Sequence, residues 1–397
     1  MTTGLIALYG AGFVAARIIA RLKLDKLLLN HMVCYANTSR RTLAATMIGT
    51  LFLSTFIPNF ITVLLMIPLV PSLAPNPSAS DLPPQQYDAS GYRITLTLGI
   101  IYAANIGGIA SLVGSPANAL LLLALDSQRI AAESLTFLRW LVFGVPMALV
   151  LLGLAGGILV LTRGDTLPKH TTAHGSANQA LNHDQRTGLL VITLLLVGAI
   201  IYSSYDTDAV RMVPLIGVAA ALLSPFAIPL AGNRSRLLRP QDLIDGLPWR
   251  GFTVAAAAVL IATLLHQTGV VPPLLSALSR HLPTLHPMTT LLVLVTITIF
   301  LTEILSNSVT AIGMWAVALA VIPPTKSDIL PLMVAISFAS TSAFMSPIST
   351  PATALAFGES PKQTLQPMLT VGLRMNLIAA AWISLCAYTW IPWVLDA

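Results

Sequence analysis

Apolar residues run along this chain in long blocks, separated by short polar stretches. Segments near 4–20, 95–125, 136–162, 187–204, 210–231, 250–270, 331–357 and 365–393 each hold enough of them for a membrane-spanning helix, which needs about 20. Two further blocks, 42–74 and 288–322, are too long for one simple crossing. They turn polar near the middle, at Pro58 and Asn59 in one and at Ser306, Asn307 and Ser308 in the other. Each arm is about 12–18 residues, short for a full span and suited to a helical hairpin that enters and leaves on one side. The pattern predicts an all-α polytopic membrane protein with eight spans plus two re-entrant hairpins.

Composition supports that class. Of 397 residues, 55% are hydrophobic and 9% charged, and the mean hydropathy is +0.81. A soluble domain carries about 25% charged residues, so this chain cannot cover a water-facing surface. A soluble enzyme, a nucleic-acid-binding protein and a disordered scaffold are excluded. The net charge of +6 reports orientation instead. With the first helix running outside to inside, five of the 21 Lys and Arg fall outside: Arg129, Arg139, Arg211, Arg280 and Lys326. The other 16 fall inside or at inner helix ends, which places both termini outside. The chain start has neither a basic n-region nor a small-residue cleavage site, so no signal peptide is expected. Cys34 and Cys386 are too few for a disulfide framework.

Polar cytoplasmic linkers are expected at 71–92, rich in Pro, and at 163–186. The second contains His170, His174 and His183, but carboxylate or thiol partners at ligand spacing are missing, so a solvated linker is favoured over a metal site.

The order of elements repeats. Residues 1–162 form a first, N-terminally shortened repeat with its hairpin at 42–74 and a broken helix at 95–125. After the linker, 187–397 form a second, with its hairpin at 288–322 and a broken helix at 331–357. The breaks read Gly114-Ser115-Pro116-Ala117-Asn118 and Ser346-Pro347-Ile348-Ser349-Thr350-Pro351; closing helices carry Trp140, Gly144 and Pro146 in one half and Gly372 in the other. Corresponding helices are an odd number of crossings apart, so the repeats are inverted in the membrane. Helices 187–204 and 210–231 precede the second repeat without counterparts before the first. On this reading something is missing ahead of the chain.

Inverted repeats with interrupted helices are the pattern of secondary transporters. A break at the midplane exposes carbonyls at one cut end, suited to Na⁺, and amides at the other, suited to an anion. Proline at a break leaves an upstream carbonyl free. Four such breaks, two per half, are enough for two cation sites flanking one anion site. Taken singly, each also reads as a capped helix end, a polar interface or a kink. Glu303, one turn before the second hairpin tip, has two open roles: carrying a coupled proton, or capping backbone amides, which is favoured. His266 is expected at the interface. Arg17 and Arg374 are expected to snorkel to the inner surface, or in the case of Arg374 to pair within the bundle.

At these residues the chain resembles the divalent anion:sodium symporter family, the sodium–dicarboxylate, citrate and sulfate transporters. The resemblance runs over essentially the whole chain, whose start resembles the family's fourth helix, so it implies that three N-terminal scaffold helices are missing. It is carried by Thr302-Glu303-Ile304-Leu305-Ser306-Asn307-Ser308, by Gly107-Gly108 through Gly114-Ser115-Pro116-Ala117-Asn118-Ala119, and by Ser342-Ala343-Phe344-Met345-Ser346-Pro347-Ile348-Ser349-Thr350-Pro351. Pro248-Trp249 and Thr268-Gly269 also match. The resemblance implies a homodimer in the plasma membrane (the inner membrane in a bacterium), working by an elevator movement. It implies one Na⁺ site at Ser54, Asn59 and Gly114 with backbone from Pro58, and another at Thr302, Asn307 and Ser349 with backbone from Leu305. Substrate carboxylates would meet Asn59, Phe60, Ser115 and Pro116 on one side, and Asn307, Ser308, Thr350 and Pro351 on the other.

Departures from the family pattern bear on the substrate. The first hairpin reads Pro58-Asn59-Phe60 where the family has Ser-Asn-Thr, which removes two hydroxyls and adds a ring; a hydrogen bond lost to a charged group costs about 1.5–3 kcal/mol. Ser308 replaces threonine but keeps the hydroxyl, and Pro351-Ala352-Thr353 stands where the family has Pro-Pro-Asn. The expected function is Na⁺-coupled symport of a small divalent anion, dicarboxylate ahead of sulfate or another oxyanion. Proton-coupled exchange through Glu303 is one alternative, and a non-transporting homologue or partner subunit another. An intramembrane enzyme is not expected, because no cluster of Asp, His or Glu in the spans forms a catalytic site.

Overall fold

The computed structural model describes residues 2–24, 26–27, 38–74, 89–128, 130, 135–167, 181–204, 222–230, 236–245, 285–322, 329–347, 349, 353 and 361–396. Helix α1 (Thr2–Leu22) packs on α8 (His183–Ser204). The first hairpin is α2 (Ser39–Phe56) and α3 (Asn59–Met66), which continues through a 3₁₀ turn into α4 (Val70–Leu73). A broken helix follows as α5 (Ala89–Ala110) and α6 (Pro116–Ser127), then α7 (Phe137–Arg163). Beyond α8 lie a short α9 (Pro240–Asp245), the second hairpin α10 (Pro287–Thr302) and α11 (Asn307–Val321), then α12 (Ile329–Thr341), α13 (Pro361–Tyr388) and α14 (Trp390–Asp396). No strand beyond an isolated bridge between Pro229 and Arg236 occurs among the described residues. The chain is an all-α, multi-pass membrane protein.

Helix lengths separate into two classes, as the apolar blocks predict. Among the described residues three helices are long and apolar enough to cross a membrane: Ser90–Ala110, Phe137–Thr166 and Leu365–Leu395. Asn59–Leu73, Pro116–Asp126, Pro287–Thr302, Asn307–Ala320 and Ile329–Thr341 are apolar but only 10–17 residues long. These are hairpin arms and half-helices too short to cross a membrane alone, so polar ends that fall inside the bundle must be satisfied within the protein. α5 is the central element, with 94% of its apolar window buried against 39% for α7 and 44% for α13. The outer faces of α7 and α13 carry exposed Leu138, Val142, Leu149, Leu369, Leu373 and Leu377, an apolar surface suited to lipid.

The hairpins show how hydroxyls are kept in such a setting. In α2, which packs on α5, Thr46 and Thr50 pair their hydroxyls by donating to the carbonyls one turn back at 2.8 and 2.7 Å. α2 packs on α5 as α10 packs on α12; α5 packs on α7 as α12 packs on α13. The closing helices meet the breaks through glycine. A Cβ on Gly144 of α7 would lie 2.8 Å from the Ala110 carbonyl oxygen, and one on Gly372 of α13 would collide with the Phe344 carbonyl. Trp140 beside Gly144 donates its indole N–H to the Ile109 carbonyl at 3.0 Å.

Several sequence expectations change. The first half-helix ends at Ala110, before the Gly-Ser-Pro signal, and the second at Thr341, before Ser346. Proline announces where the following helix starts, as Pro116 does in the N1 position, but nothing local announces where the preceding one stops. The 210–231 block does not end as a helix, since 224–226 form a 3₁₀ turn with Pro225 and Pro229 makes the bridge. Both linkers are shorter than expected, because α4 reaches Leu73, α5 starts at Ala89 and α8 starts at His183. Helix 250–270, with His266, and linker residues His170 and His174 lie outside the described residues, while His183 is exposed. Arg374 is exposed, so it does not pair inside the bundle, and the Arg17 guanidinium lies 5.3 Å from the centre of the Phe13 ring.

A Gly144→Val variant should therefore unfold at lower temperature in detergent, with a loss of about 1–3 kcal/mol from overpacking. Gly153→Ala on the same helix, where an added Cβ meets nothing within 4 Å, should not. Equal loss in both would mean that the contact at the break does not limit stability.

Candidate substrate and cation site

At the first break the helix stops at Ala110 and its cut ends are satisfied by two side chains. Asn118, one turn into α6, donates from Nδ2 to the carbonyls of Gly108 at 2.8 Å and Ser111 at 2.7 Å. The Ser111 hydroxyl accepts from the amides of Val113 and Gly114, both at 3.2 Å, and donates to the Thr55 carbonyl. The break thus rests against the first hairpin tip. Asn59, the first residue of α3, donates its backbone N–H to the Gly114 carbonyl at 2.9 Å. The Ser54 hydroxyl donates to the Ala104 carbonyl at 2.6 Å, and a Cβ on Gly114 would lie 2.7 Å from the Ser54 carbonyl oxygen. Only glycine permits that approach. Ser54, Asn59, Gly114 and the buried Pro58 therefore converge, and all are neutral oxygen donors of the kind a hard monovalent cation takes.

The second tip repeats part of this arrangement. Thr302, in the last turn of α10, donates its one hydroxyl proton to the Ser340 carbonyl at 2.6 Å, and its oxygen lies 3.0 Å from Asn307 Oδ1. As at Ser54, a hydroxyl before the tip reaches a carbonyl on the first half of the broken helix. Leu305 and Ser308 are half-buried around the tip. The Ser306 and Thr310 hydroxyls are buried without a hydrogen-bond partner among the described residues, one turn apart at the start of α11. Ser349 donates to the Ser346 carbonyl at 2.9 Å.

Glu303 holds the second break. Its Oε1 accepts from the amides of Phe344 and Met345, both at 2.8 Å, and from Asn376 Nδ2 at 2.7 Å; Oε2 accepts from the Ser346 amide at 2.6 Å. A carboxylate in hydrocarbon is costly, and here four N–H groups aimed at it replace water. Three amides left without helical partners by the end of α12 are satisfied at the same time.

Among the described residues, side-chain bonds join the two broken helices across the halves. Asn105 Nδ2 donates to the Ala343 carbonyl at 2.6 Å, Ser337 to Asn118 Oδ1 at 2.8 Å, and Thr341 to the Ser115 hydroxyl at 3.1 Å. α6 also packs on both α11 and α12. Of the residues named from the sequence, Ser54, Pro58, Asn59 and Gly114 come together at the first tip, and Thr302 and Asn307 at the second. Ser115 and Pro116 stand at the start of α6. Thr350 and Pro351 lie outside the described residues. Phe60 donates its amide to Asn59 Oδ1 at 2.9 Å, and its ring is partly buried against the hydrophobic core.

Sequence reading missed Asn105, Ser111, Ser337, Thr341 and Asn376. Their signal was present, because each is a polar side chain within or beside an apolar helix, and such residues are retained in a membrane mostly where they find partners. What the sequence lacks is the identity of the partner. As chemistry, the site offers carbonyl and hydroxyl oxygens at two tips. The N-termini of α6 and α11 add partial positive charge suited to an anion.

A model of a family described as citrate transporter matches residues 2–336. The sodium-dependent dicarboxylate transporter SdcS of Staphylococcus saprophyticus is 28% identical over 320 residues, covering 77% of this chain and 60% of that protein. An uncharacterized transporter of Methanocaldococcus jannaschii is 27% identical over 295 residues, covering 74% and 63%, and one of Haemophilus influenzae is 26% identical over 315 residues, covering 77% and 64%. The chain spans about three fifths of the length of these relatives.

Replacing Glu303 with Gln turns one acceptor oxygen into a donor that faces backbone N–H, at a cost of about 1.5–3 kcal/mol for each charge-assisted bond lost. The melting temperature of purified Glu303→Gln should fall further than that of Asn376→Ala, which leaves every break amide bonded. The reverse order would show that Glu303 does not hold the break.

Proposed function

The chain belongs to the citrate transporter family, and from that premise we propose that it is a Na⁺-coupled symporter of a small divalent anion, with a dicarboxylate as the leading substrate. The observation that carries this reading is the doubled constellation at the hairpin tips. Ser54 with Asn59 and Thr302 with Asn307 each set a hydroxyl and an amide oxygen beside an interrupted helix. Two oxygen-only clusters of this kind suit two Na⁺ ions, and helix N-termini beside them suit the anion. The SdcS relatives are sodium-dependent dicarboxylate transporters by name, which agrees with both halves of the proposal.

In this reading Ser54, Asn59 and Gly114, with the Pro58 carbonyl, hold the first ion. Thr302, Asn307 and Ser349, with the Leu305 carbonyl, hold the second. The anion lies among Asn59, Phe60, Ser115, Pro116, Asn307, Ser308, Thr350 and Pro351. The two halves are inverted repeats, residues 1–162 and 187–397, and the hairpins and broken helices move together as an elevator in a plasma-membrane homodimer. The bonds between the halves support that last point, since they tie both breaks into one body. Phe60 replaces a hydroxyl at the anion site, which weakens the case for a C4 dicarboxylate and keeps citrate and sulfate as candidate substrates. Proton exchange through Glu303 is disfavoured by its four N–H partners, each of which requires an acceptor.

The test is thermal stabilisation of the purified protein by succinate, citrate or sulfate, in NaCl or in choline chloride of equal strength. A ligand that binds only the folded state at 100 times its Kd stabilises by about 2.7 kcal/mol. The expected outcome is a shift for one anion in sodium and none in choline, lost in Asn59→Ala. Equal shifts in both salts would replace sodium coupling. No shift for any anion or for sodium, in a folded dimer, would favour a non-transporting homologue.

A further inference from the structure

Asn105 lies on α5, in an otherwise apolar turn five residues before the break, and is 2% exposed. It stands between the first hairpin tip and the second break. Its Oδ1 accepts from Asn59 Nδ2 at 3.1 Å, and its Nδ2 donates to the Ala343 carbonyl at 2.6 Å. Asn59 Oδ1 in turn accepts from the Phe60 amide at 2.9 Å. The result is a chain of four groups, Phe60 N–H, Asn59, Asn105 and the Ala343 carbonyl.

Both ends of this chain are backbone groups of fixed polarity. A carbonyl only accepts and a peptide N–H only donates. An amide side chain can turn either end toward a neighbour, but here only one arrangement of the two amides makes all three bonds. The Ala343 carbonyl requires the nitrogen of Asn105. That leaves the Asn105 oxygen for Asn59, which must present its nitrogen, and so turns the Asn59 oxygen toward the start of α3.

We propose that Asn105 is a positioning residue, and that the chain from the Ala343 carbonyl through Asn105 to Asn59 sets the amide orientation of Asn59 from the opposite half of the molecule. The inference rests on the reading of Asn59 as a sodium ligand. If the second break shifts and Ala343 withdraws, Asn105 is free to turn, and Asn59 loses the constraint that aims its oxygen. Occupancy of the first cation site thereby depends on the state of the second break, through bonds and without contact between the two cation sites.

Sodium titrations of full-length protein, followed by thermal stabilisation, test this. Asn105→Leu keeps the approximate volume and removes both bonds. The sodium concentration giving half the maximal shift should rise about three- to tenfold, the equivalent of one lost hydrogen bond, read against each variant's own sodium-free melting temperature, which also falls because the Ala343 carbonyl loses its partner. If Asn105→Leu does not fold, Asn105→Ala fits the same space and serves in its place. The double variant with Asn59→Ala should respond to sodium no differently from Asn59→Ala alone, since the relay acts only through Asn59. A wild-type sodium response with an unchanged midpoint in the Asn105 variant overturns the relay and leaves the transport reading standing. Additive effects in the double variant also overturn it. A wild-type protein that does not respond to sodium overturns both.

Discussion

Every peptide group at membrane depth has to find a partner inside the protein, because hydrocarbon supplies none. This chain interrupts its helices there, at Ser111–Ser115 and from Ser342 onward. Each interruption frees backbone groups that an unbroken helix would have paired, and the rest of the architecture follows from satisfying them. The first break does so with neutral side chains, Asn118 for the carbonyls and Ser111 for the amides. The second uses a carboxylate, with Glu303 accepting three consecutive amides.

The difference between the two solutions has a consequence. Asn118 and Ser111 lie on the break's own strand of chain, so the first break is largely self-supporting. Glu303 belongs to the hairpin tip and Asn376 to the closing helix α13. The second break is therefore held from outside by two other elements, and movement of any one is felt by the others. Glycine at the closing helices has the same effect in both halves, since Gly144 and Gly372 let α7 and α13 reach the backbone at the point of interruption. The oxygens proposed to bind ions inherit their positions from this framework. Ser54 and Thr302 are placed by bonds to Ala104 and Ser340, and Asn59 by Gly114 and Asn105. Ligands fixed this way need little reorganisation to receive an ion, which is what distinguishes a site from a scatter of polar groups.

Much of this was legible in the amino-acid sequence. Apolar block lengths separated spans from hairpins, because the thickness of a bilayer converts directly into residues. Polar residues at the middle of two blocks marked the tips, and Pro116 marked the restart of the first broken helix, since local chemistry at a helix N-terminus is strong. Asn59, Asn307 and Gly114 stood out on those grounds, Ser54 and Thr302 were named by family resemblance alone, and the fold brings all five to the two tips. The ends of α5 and α12 were not legible. A helix stops in hydrocarbon where other groups are ready to take over its backbone bonds: Ser111 and Asn118 at the first break, with Ser111 anchored on the Thr55 carbonyl, and Glu303 at the second, held in turn by Asn376. The same reason hides Asn105, whose partners Asn59 and Ala343 stand 46 and 238 positions away. The sequence by itself determined the class, the hairpins and the residue types at the tips. Only the tertiary structure decided which polar group answers which, because that depends on proximity between segments that no local pattern encodes.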